Sequence, residues 1–193
     1  MAVLQIGVPR SGNSWLHRIL VLLHDLAGVP DRSFIAAHPI HEEARGWPLS
    51  LAGQADIDMV DIEPHALFCG ISTLFREEIT DPGRYVDSCR IVWSHSPYVE
   101  RMNDFYRRFS AILYILRDPR DVAVSLAHFR FTPYSRRFHS PTSATTPQEY
   151  LDQNLSNLTW YWVRPTSGGR SGSSPRTSTS TSPPAASTPR STS

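Results

Sequence analysis

Apolar residues recur in blocks along the first 163 positions, and the spacing within each block predicts its element. Ala2 to Val8 is an apolar run and reads as a strand. Gly7, Pro9 and Gly12 then punctuate a tight loop. From Ser14 onward Trp15, Leu16, Ile19, Leu20, Leu22, Leu23 and Leu26 recur at helical spacing, and Gly28 to Pro30 closes that segment. Residues 31–61 are mixed, broken by Pro39, Gly46, Pro48 and Gly53, and predict short helices and loops. Ala66 to Ile71 predicts a strand, Phe75 to Ile79 a helical turn, and Asp81-Pro82-Gly83 a turn. Ile91 to Ser94 is strand-like, and Tyr98 to Phe109 has a helix-like mix of charges and aromatics. Ala111 to Leu116 is the clearest strand, with the unbroken apolar character of a parallel strand buried on both faces. Val122 to Phe129 continues as a helix, for which Asp118 is a suitable cap and Pro119 a suitable first-turn residue. Gln148 to Val163 predicts a last helix, opened by Thr146 and Pro147. Strands alternating with helices define an α/β class with a central parallel sheet.

The pattern stops at Val163. From Arg164 to Ser193 the chain contains only Ser, Thr, Pro, Gly, Ala and Arg. Such a segment buries too little apolar surface to offset its chain entropy, so residues 1–163 are expected to fold and 164–193 to be a disordered tail. The change falls within a helical pattern, and a GC-rich gene read out of frame would have this composition. We therefore expect a C-terminally truncated product, with a native Ser/Thr/Pro tail as the alternative. The tail carries four arginines and no acid, so removing its charges from the net +1 leaves −3 for the remainder. No polycationic field argues for nucleic acid as a partner. Two cysteines, Cys69 and Cys89, are too few for a disulfide framework and point to a reducing, cytoplasmic setting. No run is apolar and long enough to span a membrane. His38 and His41 lack further ligands at metal spacing and read as surface or packing histidines; no metal is expected.

Candidate chemistry concentrates where strands hand over to helices. Gly7, Gly12, Asn13 and Ser14 fit the spacing of the phosphate loop G-x-x-x-x-G-K-[ST], but Asn13 stands in the lysine position and the cation has moved to Arg10. Loop N–H groups and the following helix N-terminus would hold an anion there; the alternative is a plain turn capped by Ser14. His95 falls at the carboxyl end of a strand, where open α/β sheets bind ligands. At the second junction Arg117 and Ser125 would clasp another phosphate, unless Arg117 is spent on an ion pair with Asp118 or Asp121.

Three stretches together carry a resemblance. Gly-Val-Pro-Arg-Ser-Gly-Asn-Ser-Trp-Leu (7–16) resembles the 5′-phosphosulfate loop of the PAPS-dependent sulfotransferases, often Pro-Arg-Ser-Gly-Asn-Thr-Trp in bacterial members. Ile-Val-Trp-Ser-His-Ser-Pro (91–97) is similar to the family's strand ending Lys-Thr-His-Leu-Pro. Tyr-Ile-Leu-Arg-Asp-Pro-Arg-Asp-Val-Ala-Val-Ser (114–125) is similar to its 3′-phosphate motif. The resemblance covers residues 2–163 and implies a P-loop-type three-layer fold, incomplete at the C-terminus. It also implies sulfuryl transfer from PAPS to a hydroxyl or amine on a small-molecule or carbohydrate acceptor. His95 would be the general base, and Arg10 would stabilise the leaving phosphate. Ser11, Gly12, Asn13 and Ser14 would cradle the 5′-phosphate, Trp15 would stack on adenine, and Arg117 with Ser125 would hold the 3′-phosphate. The chain departs from the family at Arg10 and Trp93, where lysine is usual, and lacks a counterpart of the closing C-terminal Arg-Lys-Gly segment. The alternatives are an inactive PAPS-binding or PAP-binding fragment and, further off, a P-loop kinase or NTPase.

Overall fold

The computed structural model describes residues 2–163, with side chains through Leu155; the expectation for the tail lies outside the described residues. Six strands form one sheet: β1 (Val3–Gly7), β2 (Met59–Ile62), β3 (Leu67–Ile71), β4 (Phe75–Glu78), β5 (Ile91–Ser94) and β6 (Ala111–Ile115). Their order is β4-β3-β2-β5-β1-β6. β2, β5, β1 and β6 run parallel, while β3 and β4 add an antiparallel hairpin. The helices are α1 (Asn13–Leu26), α2 (Ile40–Ala44), α3 (Pro82–Asp87), α4 (Asn103–Tyr106), α5 (Pro119–Arg130), α6 (Pro133–Phe138) and α7 (Pro147–Val163). The mixed α/β architecture with its mainly parallel centre is the one the hydropathy pattern implies. No described helix is long and apolar enough to cross a membrane.

The core lies on one face of the sheet, where Leu4, Ile6, Val60 and Val92 meet Tyr85, Phe105, Tyr106 and Phe109 from α3, α4 and the turn after α4. A satellite cluster of Ile35, Ala44, Ala55 and Ile71 packs residues 35–55 against the β3 end. His41 is buried and bonds Asp56 at 2.8 Å, a packing role as expected.

Four local readings need correction. Phe75–Glu78 is a strand, not a helical turn: it closes a hairpin on β3, with Phe68 opposite Glu78 and Ile71 opposite Phe75. Asp81-Pro82-Gly83 begins α3 instead of making a free turn, because the Asp81 carboxylate accepts the Arg84 N–H at 3.0 Å and Pro82 suits the first turn. α1 is capped by Gly12 at φ 105°, without a side-chain cap, so Ser14 does not cap it. β6 is not buried on both faces; Ala111, Ile112, Leu113 and Tyr114 are all exposed, because the strand stands at the sheet's edge. An apolar run reports β structure but not position within a sheet.

Asp58 precedes β2 and shows why that strand was hard to read. Its carboxylate is buried and accepts the Ile35 N–H at 2.7 Å and the Ser33 hydroxyl at 3.2 Å, tying the 33–35 segment to the sheet. Burial pushes its pKa up from 3.8 to about 6, against the pull of these hydrogen bonds. The folded state therefore holds this proton more tightly than the unfolded chain. The group's contribution is fullest below the unfolded value and is lost as pH rises through about 6, a loss on the order of 3 kcal/mol at most. Urea titrations across this range should show that downward slope in the wild type and its absence in Asp58→Asn; parallel curves for the two proteins would refute it.

Candidate active site

β5, β1 and β6 lie side by side, and their carboxyl ends deliver the three stretches singled out above to one edge of the sheet. The first is the loop from β1 into α1. Gly7 must lack a side chain, since a Cβ there would collide with Ile115 and the Asn13 amide. Gly12 occupies the left-handed region that favours glycine, and Arg10 adopts it too, at φ 71°, which strains a residue with a Cβ. The loop is braced from inside. Asn13 Nδ2 donates to the Val8 carbonyl at 2.7 Å, Ser11 Oγ donates to the same oxygen at 2.6 Å, and Gln5 Nε2 donates to the Asn13 carbonyl at 2.6 Å. The buried side chains of Ser11 and Asn13 thus shape the loop and do not face outward. The amides of Gly12, Asn13 and Ser14 have no hydrogen-bond partner among the described residues. They are the orphan donors that a helix N-terminus offers to an anion.

Arg10 turns toward α5. Its Nε donates to Ser125 Oγ at 3.1 Å, and its guanidinium lies 5.1 Å from the Phe129 ring centroid. Arg117 enters from the end of β6. One of its terminal nitrogens donates to the Arg10 carbonyl at 3.3 Å, and its Nε stands 3.6 Å from Asp121. Arg117 thus faces the loop and is also paired with Asp121. Asp118 pairs with Arg120 instead, at 2.6 Å. Burial, and then the charge of Arg117, lower the Arg10 pKa. Two guanidiniums brought this close, with one carboxylate paired to Arg117, leave an excess of positive charge that an anion would relieve.

His95 follows β5. Its Nδ1 lies 2.6 Å from the Gly7 carbonyl, so Nδ1 carries the proton and Nε2 keeps its lone pair. Burial lowers its pKa, partly offset by the Gly7 carbonyl and Asp61. A neutral imidazole with a fixed tautomer can accept a proton near pH 7. Gly7 thereby joins His95 directly to the phosphate-type loop. Trp93, in the position where a lysine was looked for, is buried between two imidazoles, 5.7 Å from the His17 ring and 5.5 Å from that of His95. His17 is held neutral, its pKa pushed down to about 4 by burial and then by Arg90. Trp15 is 74 % exposed, so it is not a core aromatic. His17 and Phe129 join the site by packing across elements, which no motif announces. Among the described residues no group of three His, Cys, Asp or Glu could hold a metal ion.

The glycine-bearing loop, the junction with Arg117 and the histidine thus stand together at one edge of an α/β sheet. The model of the sulfotransferase domain family matches residues 2–165, and the chain belongs to that family. Searches of curated proteins and of solved structures return no match.

Proposed function

We propose that this chain transfers a sulfuryl group from PAPS to a hydroxyl or amine of a small-molecule or carbohydrate acceptor. The convergence of Arg10, Arg117 and Ser125 from two strand–helix junctions carries the reading. PAPS has phosphate at both ends of its ribose, and the chain offers a cationic bend for each. The amides of Gly12, Asn13 and Ser14 would receive the 5′-phosphate, and Ser11 and Asn13 keep the loop in shape. Arg117 and Ser125 would receive the 3′-phosphate. Trp15, exposed beside the loop, is free to stack on adenine.

His95 Nε2 takes the proton as the acceptor oxygen or nitrogen bonds to sulfur. The bond from sulfur to the bridging oxygen breaks, and its electron pair leaves on the phosphate of PAP. Arg10, always cationic, stabilises that charge without giving up a proton. In the unliganded chain Arg10 rests on Ser125, so binding of the donor would separate them, leaving Ser125 for phosphate and Arg10 for the leaving group.

Calorimetric titration of the full chain checks the reading. PAP should bind at least about tenfold more tightly than AMP, since a phosphate–arginine contact is charge-assisted, and labelled sulfate should pass from PAPS to at least one acceptor in a panel. ATP with magnesium binding more tightly than PAP would overturn the reading in favour of a kinase or NTPase. Tight PAP binding with no transfer would reduce the chain to a binding fragment.

A further inference from the structure

One face of β2, β3 and β4 carries exposed charges, and it runs up to His95. The strand register fixes which side chains share that face. Met59 is opposite Trp93 on β5 and opposite Gly70 on β3, and Gly70 is opposite Arg76 on β4. The next row is Asp61, Phe68 and Glu78. His95 stands two residues beyond Trp93, so it falls at the head of this second row. The alignment persists past the end of β5, because the Ile62 N–H donates to Ser96 Oγ at 2.7 Å. Burial lowers the His95 pKa and the Asp61 charge opposes it, in keeping with this adjacency. The other face of the same strands, with Val60, Ile62, Leu67 and Cys69, is core. α1 packs against β1 and β5 and leaves Asp61, Arg76 and Glu78 exposed.

This row holds a cation slot that the chain fills itself. The Arg76 guanidinium lies 3.4 Å from the Phe68 ring centroid. Its Nε stands 3.5 Å from Asp61, and a terminal nitrogen pairs with Glu63. A cation on an aromatic face, flanked by carboxylates, is an arrangement that recognises organic cations. Arg76 belongs to the edge strand and its side chain is 45 % exposed, so it is free to swing out into water. The α5–α6 arm joins this face to the donor loop: Ser125 meets Arg10 at one end, and the Tyr134 hydroxyl bonds Ser72 at the β3–β4 turn.

We propose that this face binds the acceptor and selects one that carries a cation. An ammonium or guanidinium of the acceptor displaces Arg76 from Phe68, Asp61 and Glu63, while a hydroxyl of the same molecule lies at His95. The slot stands on the geometry above; its service to an acceptor rests on the sulfuryl-transfer reading. Asp61 is one strand from His95 and Phe68 is two, so hydroxyl and cation are separated by roughly 5–10 Å. A neutral acceptor has nothing with which to displace Arg76.

NMR titrations of the full chain with a terminal aminopentanol and with the matching pentanediol test this. They are followed at the Phe68 and His95 ring resonances, and PAP is titrated into the same samples. The amino alcohol should bind about tenfold more tightly than the diol. Asp61→Asn and Phe68→Leu should each weaken the amino alcohol by about threefold and leave the diol unchanged. Arg76→Gln removes the competitor and should tighten the amino alcohol by about threefold, a gain that a merely structural arginine would not give. Circular dichroism verifies that each variant is folded. Equal binding of the two probes would overturn the proposal, and so would an Arg76→Gln variant that fails to tighten. If PAP binds while the probes are not discriminated, the cation slot is refuted and the donor reading stands. Discrimination without PAP binding would sink the donor reading and leave the slot supported.

Discussion

Replacing His95 by alanine should lower sulfuryl transfer by about a thousandfold, the range expected when a positioned general base is lost, while the PAP dissociation constant changes by no more than about twofold. The separation follows from the geometry. Nδ1 is engaged with the Gly7 carbonyl, so the imidazole touches the loop through one nitrogen and, on the proposed reading, would offer the other to the acceptor. On the proposed reading, donor binding would draw on the amides after Arg10 and on the guanidiniums, none of which depends on Nε2. The pH profile gives a second test. Burial lowers the His95 pKa below its ordinary 6.5. A base works only when neutral, so kcat/KM should fall on the acid side with an apparent pKa below that value and level off above it. Residual activity in His95→Ala should lack this limb. Equal loss of transfer and PAP binding would mean that His95 holds the loop and does no chemistry.

How much of this was readable in advance depends on whether the determining contact is local. β5 appears at Ile91–Ser94, as the apolar run predicted, and Asp118 caps α5 by accepting the Arg120 N–H at 2.9 Å. Both outcomes rest on residues adjacent in sequence. β4 was misread because its pairing is decided by the hairpin with β3, not by its own Phe-Arg-Glu-Glu pattern. β2 is preceded by Asp58 and interrupted by Asp61, and the buried Asp58 is satisfied by Ser33 and Ile35. In the site, the motif residues were legible as types but not in their division of labour. Ser11 and Asn13 looked like ligands, yet their side chains brace the Val8 carbonyl. Phe129 carried no signal at all. It matters because it lies one helical turn beyond Ser125 and so falls under the same guanidinium, a relation across 119 positions from Arg10.

Arg117→Ala should weaken PAP by roughly tenfold to a hundredfold, the value of one charge-assisted contact to a partly desolvated phosphate, and AMP by about threefold at most. The ratio, more than either loss, carries the inference. Arg117 also donates to the Arg10 carbonyl at 3.3 Å, and Arg10 sits at a strained φ of 71°. Some loosening of the loop is therefore expected, and it should weaken both nucleotides alike. Only the contact to the 3′-phosphate separates them. Arg117→Lys refines the argument, because lysine keeps the charge but not the fork that can serve a phosphate and the Arg10 carbonyl together; it should fall between wild type and alanine for PAP. Asp121 provides the converse. It stands 3.6 Å from Arg117 and competes with phosphate for it, so Asp121→Asn should leave the wild-type preference for PAP intact or raise it. If Arg117→Ala weakened AMP as much as PAP, Arg117 would be a brace for the loop, and the 3′-phosphate would have to be held by other residues.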